Sequence, residues 1–259
     1  MLLYEHPLSS YAQKVKIAIR EKGLAFEVEI PDHLGSGDAS GPFAEASPRL
    51  EVPTLIDGEA HIFDSTIILE YLEDRYPAPP LLPREPAARA DARMIEDVCD
   101  TVYEAINWGL GEILWFGRAT GTLADTMRTH AARQTAEVQR WLAGKLGDRR
   151  WFNGDEFGWA DVCVAPFLNR SFHYGYGTPE DSPLTHWRAQ LQQRSSVAAT
   201  FREFEVAAEG MSGAAARLAS GSIRREYRDH RLEWMMKSGG LQIVLDGLNK
   251  GNVRFTWPL

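Results

Sequence analysis

The apolar residues of this 259-residue chain change their period element by element up to about residue 75. Beyond the run Tyr76-Pro77-Ala78-Pro79-Pro80 they follow helical spacing as far as residue 208. A proline run fixes its own dihedrals and continues neither a helix nor a ladder, so it reads as a stiff linker and a boundary. The chain therefore has to fold as a mixed α/β unit followed by an all-helical one. Its length, at about 100–200 residues per domain, fits that division.

Leu2 to Tyr4 reads as a short strand ended by the turn His6-Pro7-Leu8-Ser9-Ser10. Tyr11 to Glu21 reads as a helix stopped by Gly23, with its cations Lys14, Lys16, Arg20 and Lys22 running toward the end that favours positive charge. Phe26, Val28 and Ile30 alternate with Glu27 and Glu29, a strand pattern. Residues 31–50 form a long loop with one helical turn at Phe43 to Ala46. Val52 to Ile56 and Ala60 to Phe63 flank Asp57-Gly58, the signal of a hairpin. Asp64-Ser65 then opens a helix that runs to Arg75.

Past the linker, Pro86 to Phe116 reads as one long helix, followed by Leu123 to Leu146, Trp159 to Phe172, 184–194 and 196–208. Residues 209–221, rich in Gly, Ala and Ser, read as a flexible connection. The remaining segment, 222–259, shows a basic helix start, a Gly239-Gly240 break, an apolar helix at 241–248 and an extended end at Val253 to Trp257.

The net charge is −8 with pI near 5.4, which argues against nucleic-acid binding. No apolar run approaches the 20 or so residues that span a bilayer, and the first residues lack the basic and apolar regions of a secretory leader. Cys99 and Cys163 cannot build a disulfide framework, and a cytoplasmic location is the default. Neither glycine-rich phosphate loops nor His-x-x-x-His spacing occurs, so no metal or nucleotide is expected. Charge is uneven, −8 over residues 1–77 and +4 over 217–259, which suggests a docking of the last segment onto the first that salt would weaken.

Five segments in this order resemble the soluble glutathione transferases over residues 1–207. They are Leu3-Tyr4…Pro7-Leu8-Ser9-Ser10, Ser47-Pro48…Val52-Pro53-Thr54-Leu55, Asp64-Ser65-Thr66-Ile67-Ile68, Trp159-Ala160-Asp161 and Arg194-Ser195-Ser196. The resemblance implies a thioredoxin-like βαβ-ββα domain over residues 1–77, a linker at 78–85 and a helical bundle domain over 86–208. Residues 209–259 are an extension, expected to pack back on the body with Phe255 and Trp257 buried. It further implies glutathione as co-substrate, a small hydrophobic electrophile as second substrate, and a homodimer.

In a serine-type member, a hydroxyl at the start of the first helix donates to the glutathione sulfur, where the helix dipole also favours an anion. Ser9 holds that position and Ser10 is the second candidate; either hydroxyl is equally suited to capping the helix. The buried-strand residue Tyr4 is a poorer donor. Val52-Pro53 stands at the family's cis-proline, where Val52 would offer its backbone to the cysteinyl part of the peptide. Asp64 and Ser65 would hold the γ-glutamyl end. His33 and Arg49 are candidates for the glycine carboxylate, and Glu51 stands where many members carry Lys or Gln and would repel that carboxylate. Leu50 replaces a common glycine, and Gly158 replaces a Ser or Thr cap, which is expected to cost little. Leu8 and Tyr11 would line the electrophile pocket from one side, and Tyr103, Asn107, Trp108, Gly111 and Trp115 from the other. Asp100 would reach glutathione across a dimer. The alternative function is a non-catalytic binding or regulatory module that keeps the fold.

Overall fold

The computed structural model describes residues 1–32, 34, 41–225, 227, 230–250 and 252. Strand β1 (Leu2–Tyr4) lies at the centre of a four-stranded sheet. It pairs in parallel with β2 (Glu27–Glu29) and antiparallel with β3 (Thr54–Asp57), which in turn forms a hairpin with β4 (Ala60–Phe63). Helix α1 (Ser10–Glu21) supplies the crossover between β1 and β2, and α3 (Ser65–Arg75) follows β4 and packs on α1. The short α2 (Pro42–Ala46) closes the loop before β3. This is the thioredoxin-like βαβ-ββα arrangement.

Beyond residue 80 the chain is helical: α4 (Pro86–Val98), α5 (Glu104–Leu114), α6 (Gly121–Leu146), α7 (Trp159–His173), α8 (Pro183–Leu191) and α9 (Ser195–Glu209). The helix expected from Pro86 to Phe116 is interrupted: Cys99–Tyr103 forms a π-turn between α4 and α5, which inserts backbone and shifts the phase of everything after it. Helix α7 is buried along nearly its whole length and packs against both α1 and α4. One continuous core joins the two halves, with Leu3, Ile17, Leu55 and Ile68 packed in the same cluster as Ile95, Cys99, Trp159, Cys163 and Phe167. Both cysteines are free and fully buried, and burial pushes their thiols well above the usual range. Among the described residues, no helix is long and apolar enough to cross a membrane.

The cations of α1 do not serve the helix dipole as its sequence suggests. Lys14 is fully buried and lies 2.7 Å from Glu96 and 2.6 Å from Asp100. Lys16 is buried between Glu5 at 3.1 Å and Glu203 at 2.7 Å. Arg20 also bonds Glu203. Lys22 reaches Glu73 and donates to the carbonyls of Tyr76 and Pro79. Glu73 in turn accepts from the amides of Leu81 and Leu82, so the linker is bonded to α1 and α3.

Residues 210–219 are not an unstructured connection. A 3-10 turn at Gly210–Gly213 leads into α10 (Ala214–Ala219), and Ala214 is fully buried. Arg225 and Tyr227 lie against α5, where Arg225 bonds Glu112 at 2.5 Å and the Tyr227 ring meets Trp108 with centroids 4.4 Å apart. Helices α11 (His230–Lys237) and α12 (Leu241–Asn249) pack on each other, with Trp234, Met236, Ile243 and Leu248 exposed. The extended end, with Phe255 and Trp257, lies outside the described residues.

Candidate active site

The sheet register gathers the expected glutathione-binding segments at one edge. Tyr4, the last residue of β1, pairs with Thr54, the first of β3, and Thr54 pairs with Phe63, the last of β4. The loop to Ser9, the peptide Val52-Pro53 and the pair Asp64-Ser65 each extend one of these three strands at the same end.

The loop after β1 is held by its own bonds. Ser9 N donates to the His6 carbonyl at 2.8 Å, and Gln13 Nε2 donates to the Pro7 carbonyl at 2.8 Å. Ser9 is the N-cap of α1: its Oγ accepts from Ala12 N at 3.2 Å, and its side chain is half-buried. An accepting hydroxyl keeps its own proton available to donate. Ser10 is fully buried, and its Oγ has no hydrogen-bond partner. Tyr4 is buried against Phe43, away from the helix start.

The Val52–Pro53 bond is cis. The ladder between β1 and β3 begins at Thr54, leaving Val52 outside it. Ser47 Oγ accepts from Glu51 N at 3.2 Å, and Thr54 Oγ1 donates to the Glu51 carbonyl at 2.9 Å, which fixes the approach to the cis bond. Leu50 has φ of 55°, the left-handed conformation that glycine adopts freely, which explains why glycine suits this position. Arg49 forms an ion pair with Glu51 at 3.0 Å, so the carboxylate expected to repel a peptide anion is neutralised by its neighbour. His33 lies outside the described residues.

Asp64 also has a positive φ, 76°, and its Oδ1 accepts from Thr66 N at 3.0 Å and Ile67 N at 3.3 Å. A non-glycine residue held in this region marks strain at a place where the surrounding structure dictates the conformation. Ser65, the first residue of α3, is buried. Thr66 Oγ1 donates to Glu96 at 2.8 Å and links this helix start to the Lys14 cluster. Asp100 gives its Oδ2 to Lys14, while its Oδ1 is buried and unbonded.

The second wall differs from its expected composition. Tyr103 is fully buried, and its hydroxyl accepts from Gln139 Nε2 at 3.0 Å. Asn107 is fully buried, donating to the Phe167 carbonyl at 3.0 Å and accepting from Ser171 Oγ at 3.2 Å. Both are core residues tying helices together, not pocket walls. Leu8 is buried beside the loop, and Tyr11 sets its ring against Phe167 and donates its hydroxyl to the Asp100 carbonyl at 2.7 Å. Trp108 is covered by Tyr227 and Arg225. Gly111 and Trp115 face Tyr174: a Cβ at Gly111 would sit 3.4 Å from the Tyr174 hydroxyl, and the Trp115 and Tyr174 rings are 5.2 Å apart. Sequence reasoning missed Glu104, Arg170 and Tyr174 in this region. The available signal was Arg170 itself, a cation closing an otherwise apolar helix run.

The Glutathione S-transferase, N-terminal domain family matches residues 3–80, and the Glutathione S-transferase, C-terminal domain family matches residues 128–199. The chain is 28% identical over 207 residues to a Stringent starvation protein A homolog of Coxiella burnetii, covering 79% of this chain and 93% of that protein. It is 30% identical over 217 residues to the probable glutathione S-transferase GSTU1 of Oryza sativa subsp. indica, covering 76% and 87%. The crystal structure of rice GST1 in complex with glutathione superposes with a TM-score of 0.66 at 28% identity, covering 81% of this chain and 95% of that one. With both domain families matched in order on the observed fold, the chain belongs to the soluble glutathione S-transferase family.

Proposed function

We propose that this chain is a glutathione transferase in which Ser9 holds the glutathione sulfur as a thiolate for attack on an electrophilic carbon. The observation that carries this reading is Ser9 itself: a half-buried hydroxyl that accepts from Ala12 N and keeps its proton to donate, at the N-terminus of α1. Free amides and the dipole of a helix start favour an anion at that point. Full burial of Ser10 favours Ser9 over its neighbour. Val52, beyond the end of the ladder, has the position to pair its backbone with the cysteinyl unit, and Asp64 with Ser65 to take the γ-glutamyl end. Arg49 is the cation nearest the glycine end, with Glu51 as its partner. A cytoplasmic homodimer is part of the same reading.

The test is steady-state conjugation of glutathione to 1-chloro-2,4-dinitrobenzene with the natural chain and Ser9→Ala. The variant should lose about 100-fold in kcat/KM, the scale of one donor to a developing anion. An unchanged rate, or a natural chain that does not bind glutathione in calorimetry, overturns the reading. Similarity to a Stringent starvation protein A homolog favours a second reading, a non-catalytic binding or regulatory module that keeps the fold. Tight glutathione binding with turnover excludes that reading.

A further inference from the structure

Arg170, in the last turn of α7, is 5% exposed, and its Nε and Nη2 are buried with no hydrogen-bond partner. Among the described residues no carboxylate lies within 4 Å of it. The guanidinium is held in place by aromatic faces, 5.1 Å from the Trp115 ring centroid and 5.4 Å from that of Phe204. A guanidinium stays charged at any ordinary pH, and a buried one without a partner is costly.

It is not alone. The Tyr174 hydroxyl, Glu104 Oε2 and Ser10 Oγ, from the end of α7, from α5 and from α1, are also buried without a well-formed hydrogen bond, although Tyr174 interacts with Arg170 and Ser10 with Glu104. Their fields tie them together: Arg170 acts on Glu104, Tyr174 and His6, and Ser10 faces Glu104. Burial pushes Glu104 toward its neutral acid and Tyr174 up to about 12, so Tyr174 remains a donor. Arg225 acts on both Glu104 and Tyr174. Buried polar groups are normally satisfied, so a buried guanidinium with no carboxylate beside it among the described residues calls for an anionic partner.

The cluster begins one residue from Ser9 and ends at the Trp115 wall of the expected electrophile pocket. A planar guanidinium whose Nε–H and Nη2–H share one edge matches a carboxylate. We propose that Arg170 and Tyr174 form a carboxylate-accepting subsite, so that the second substrate is an electrophile bearing a carboxylate rather than an uncharged apolar one. The role of that substrate rests on the transferase reading; the subsite itself does not. Ser10 and Glu104 complete its polar floor, and Gly111 faces the Tyr174 hydroxyl, which a Cβ there would meet at 3.4 Å.

Two measurements test this. Calorimetric titration with 3,5-dinitrobenzoate and with its methyl ester, on the natural chain, Arg170→Met, Arg170→Lys and Tyr174→Phe, needs no catalysis. The natural chain should bind the acid at least 10-fold tighter than the ester. Arg170→Met should abolish the difference, Arg170→Lys should keep part of it, and Tyr174→Phe should weaken the acid several-fold. Kinetics with 4-chloro-3,5-dinitrobenzoate and its ester, where the thiolate forms the C–S bond and chloride leaves with its electron pair, should show the same change in the acid-to-ester ratio of kcat/KM. Thermal melts establish that each variant is folded, and the lysine variant keeps the test open where methionine unfolds the chain. Equal binding of acid and ester by the natural chain, or a ratio that Arg170→Met and Arg170→Lys leave unchanged, overturns the subsite. Selective acid binding without glutathione binding keeps the subsite and removes the transferase reading.

Discussion

The Lys14 ammonium lies 2.6 Å from Asp100 Oδ2, with Lys14 wholly excluded from solvent. Glu96 completes the cluster at 2.7 Å and itself accepts from Trp159 Nε1 at 2.6 Å. The pair joins the first helix of the sheet-bearing half to the first long helix of the other. Removing one member of a buried pair leaves an uncompensated charge. Lys14→Met should therefore lower the unfolding free energy by about 3–5 kcal/mol in urea titrations. Adding Glu96→Gln and Asp100→Asn should recover part of that loss; a single variant as stable as the natural chain would show that the cluster is solvated.

Burial raises the Asp100 carboxyl to about 6, against the pull of Lys14, from an ordinary value of 3.8. Between those two pH values the folded chain holds a proton that the unfolded chain has released. The associated stability is complete below the unfolded value and is lost as pH rises through about 6. The natural chain should thus lose about 2 kcal/mol relative to Asp100→Asn on going from pH 4 to pH 7. A difference between the two that stays flat with pH contradicts the assignment.

Gly158, the N-cap of α7, tolerates no side chain. A Cβ there would fall 2.5 Å from the Leu81 carbonyl and into the Asn153 amide. Asn153 Nδ2 donates to the same Leu81 carbonyl at 2.7 Å, and Trp159 N does so at 2.8 Å, so the linker fills the space a cap hydroxyl would need. Asp161 caps from within the helix, accepting from Gly158 N at 3.0 Å. Gly158→Ser, a gain by helix-capping rules alone, should instead cost about 3 kcal/mol through overpacking. A higher melting temperature for the serine variant would refute this.

Arg225 stacks 4.3 Å from the Trp108 ring centroid and 4.1 Å from that of Phe116 while bonding Glu112. Its partner is in the helical half. Arg225→Ala should cost about 1–2 kcal/mol, since Arg118 still pairs with Glu112. It should also speed proteolysis within residues 220–228 and shift the Trp108 emission to the red. Unchanged cleavage would mean that the contact does not hold the segment.

The elements before the linker were readable because each is short, regular in period and ended by its own turn residues. Ser9, Val52, Pro53, Asp64 and Ser65 were readable as a set because three strand ends bring them to one edge. The second wall was not, for a geometric reason. Residues 103, 107, 111 and 115 recur every four positions, but a helix turns about 100° per residue, so three such steps rotate the stripe by about 120°. Tyr103 and Asn107 consequently face the core, while Gly111 and Trp115 face Tyr174. Lys14 and Lys16 were read only through the helix dipole because their partners, Glu96, Asp100 and Glu203, lie far along the chain. Nor does spacing within residues 210–219 separate a flexible Gly-Ala segment from the helix that Ala214–Ala219 forms.

The bonds of Lys22 give the proline linker a meaning its sequence conceals. With Tyr76 and Pro79 bound to Lys22, and Leu81 and Leu82 bound to Glu73, the boundary is bonded to the first half rather than a loose seam. Two lysines of the first half, Lys14 and Lys16, pair with carboxylates beyond that boundary. A chimera that exchanged the helical half for a relative's would inherit their charges without counterparts unless Glu96, Asp100 and Glu203 travelled with it. The two halves are separable on paper and interlocked in space.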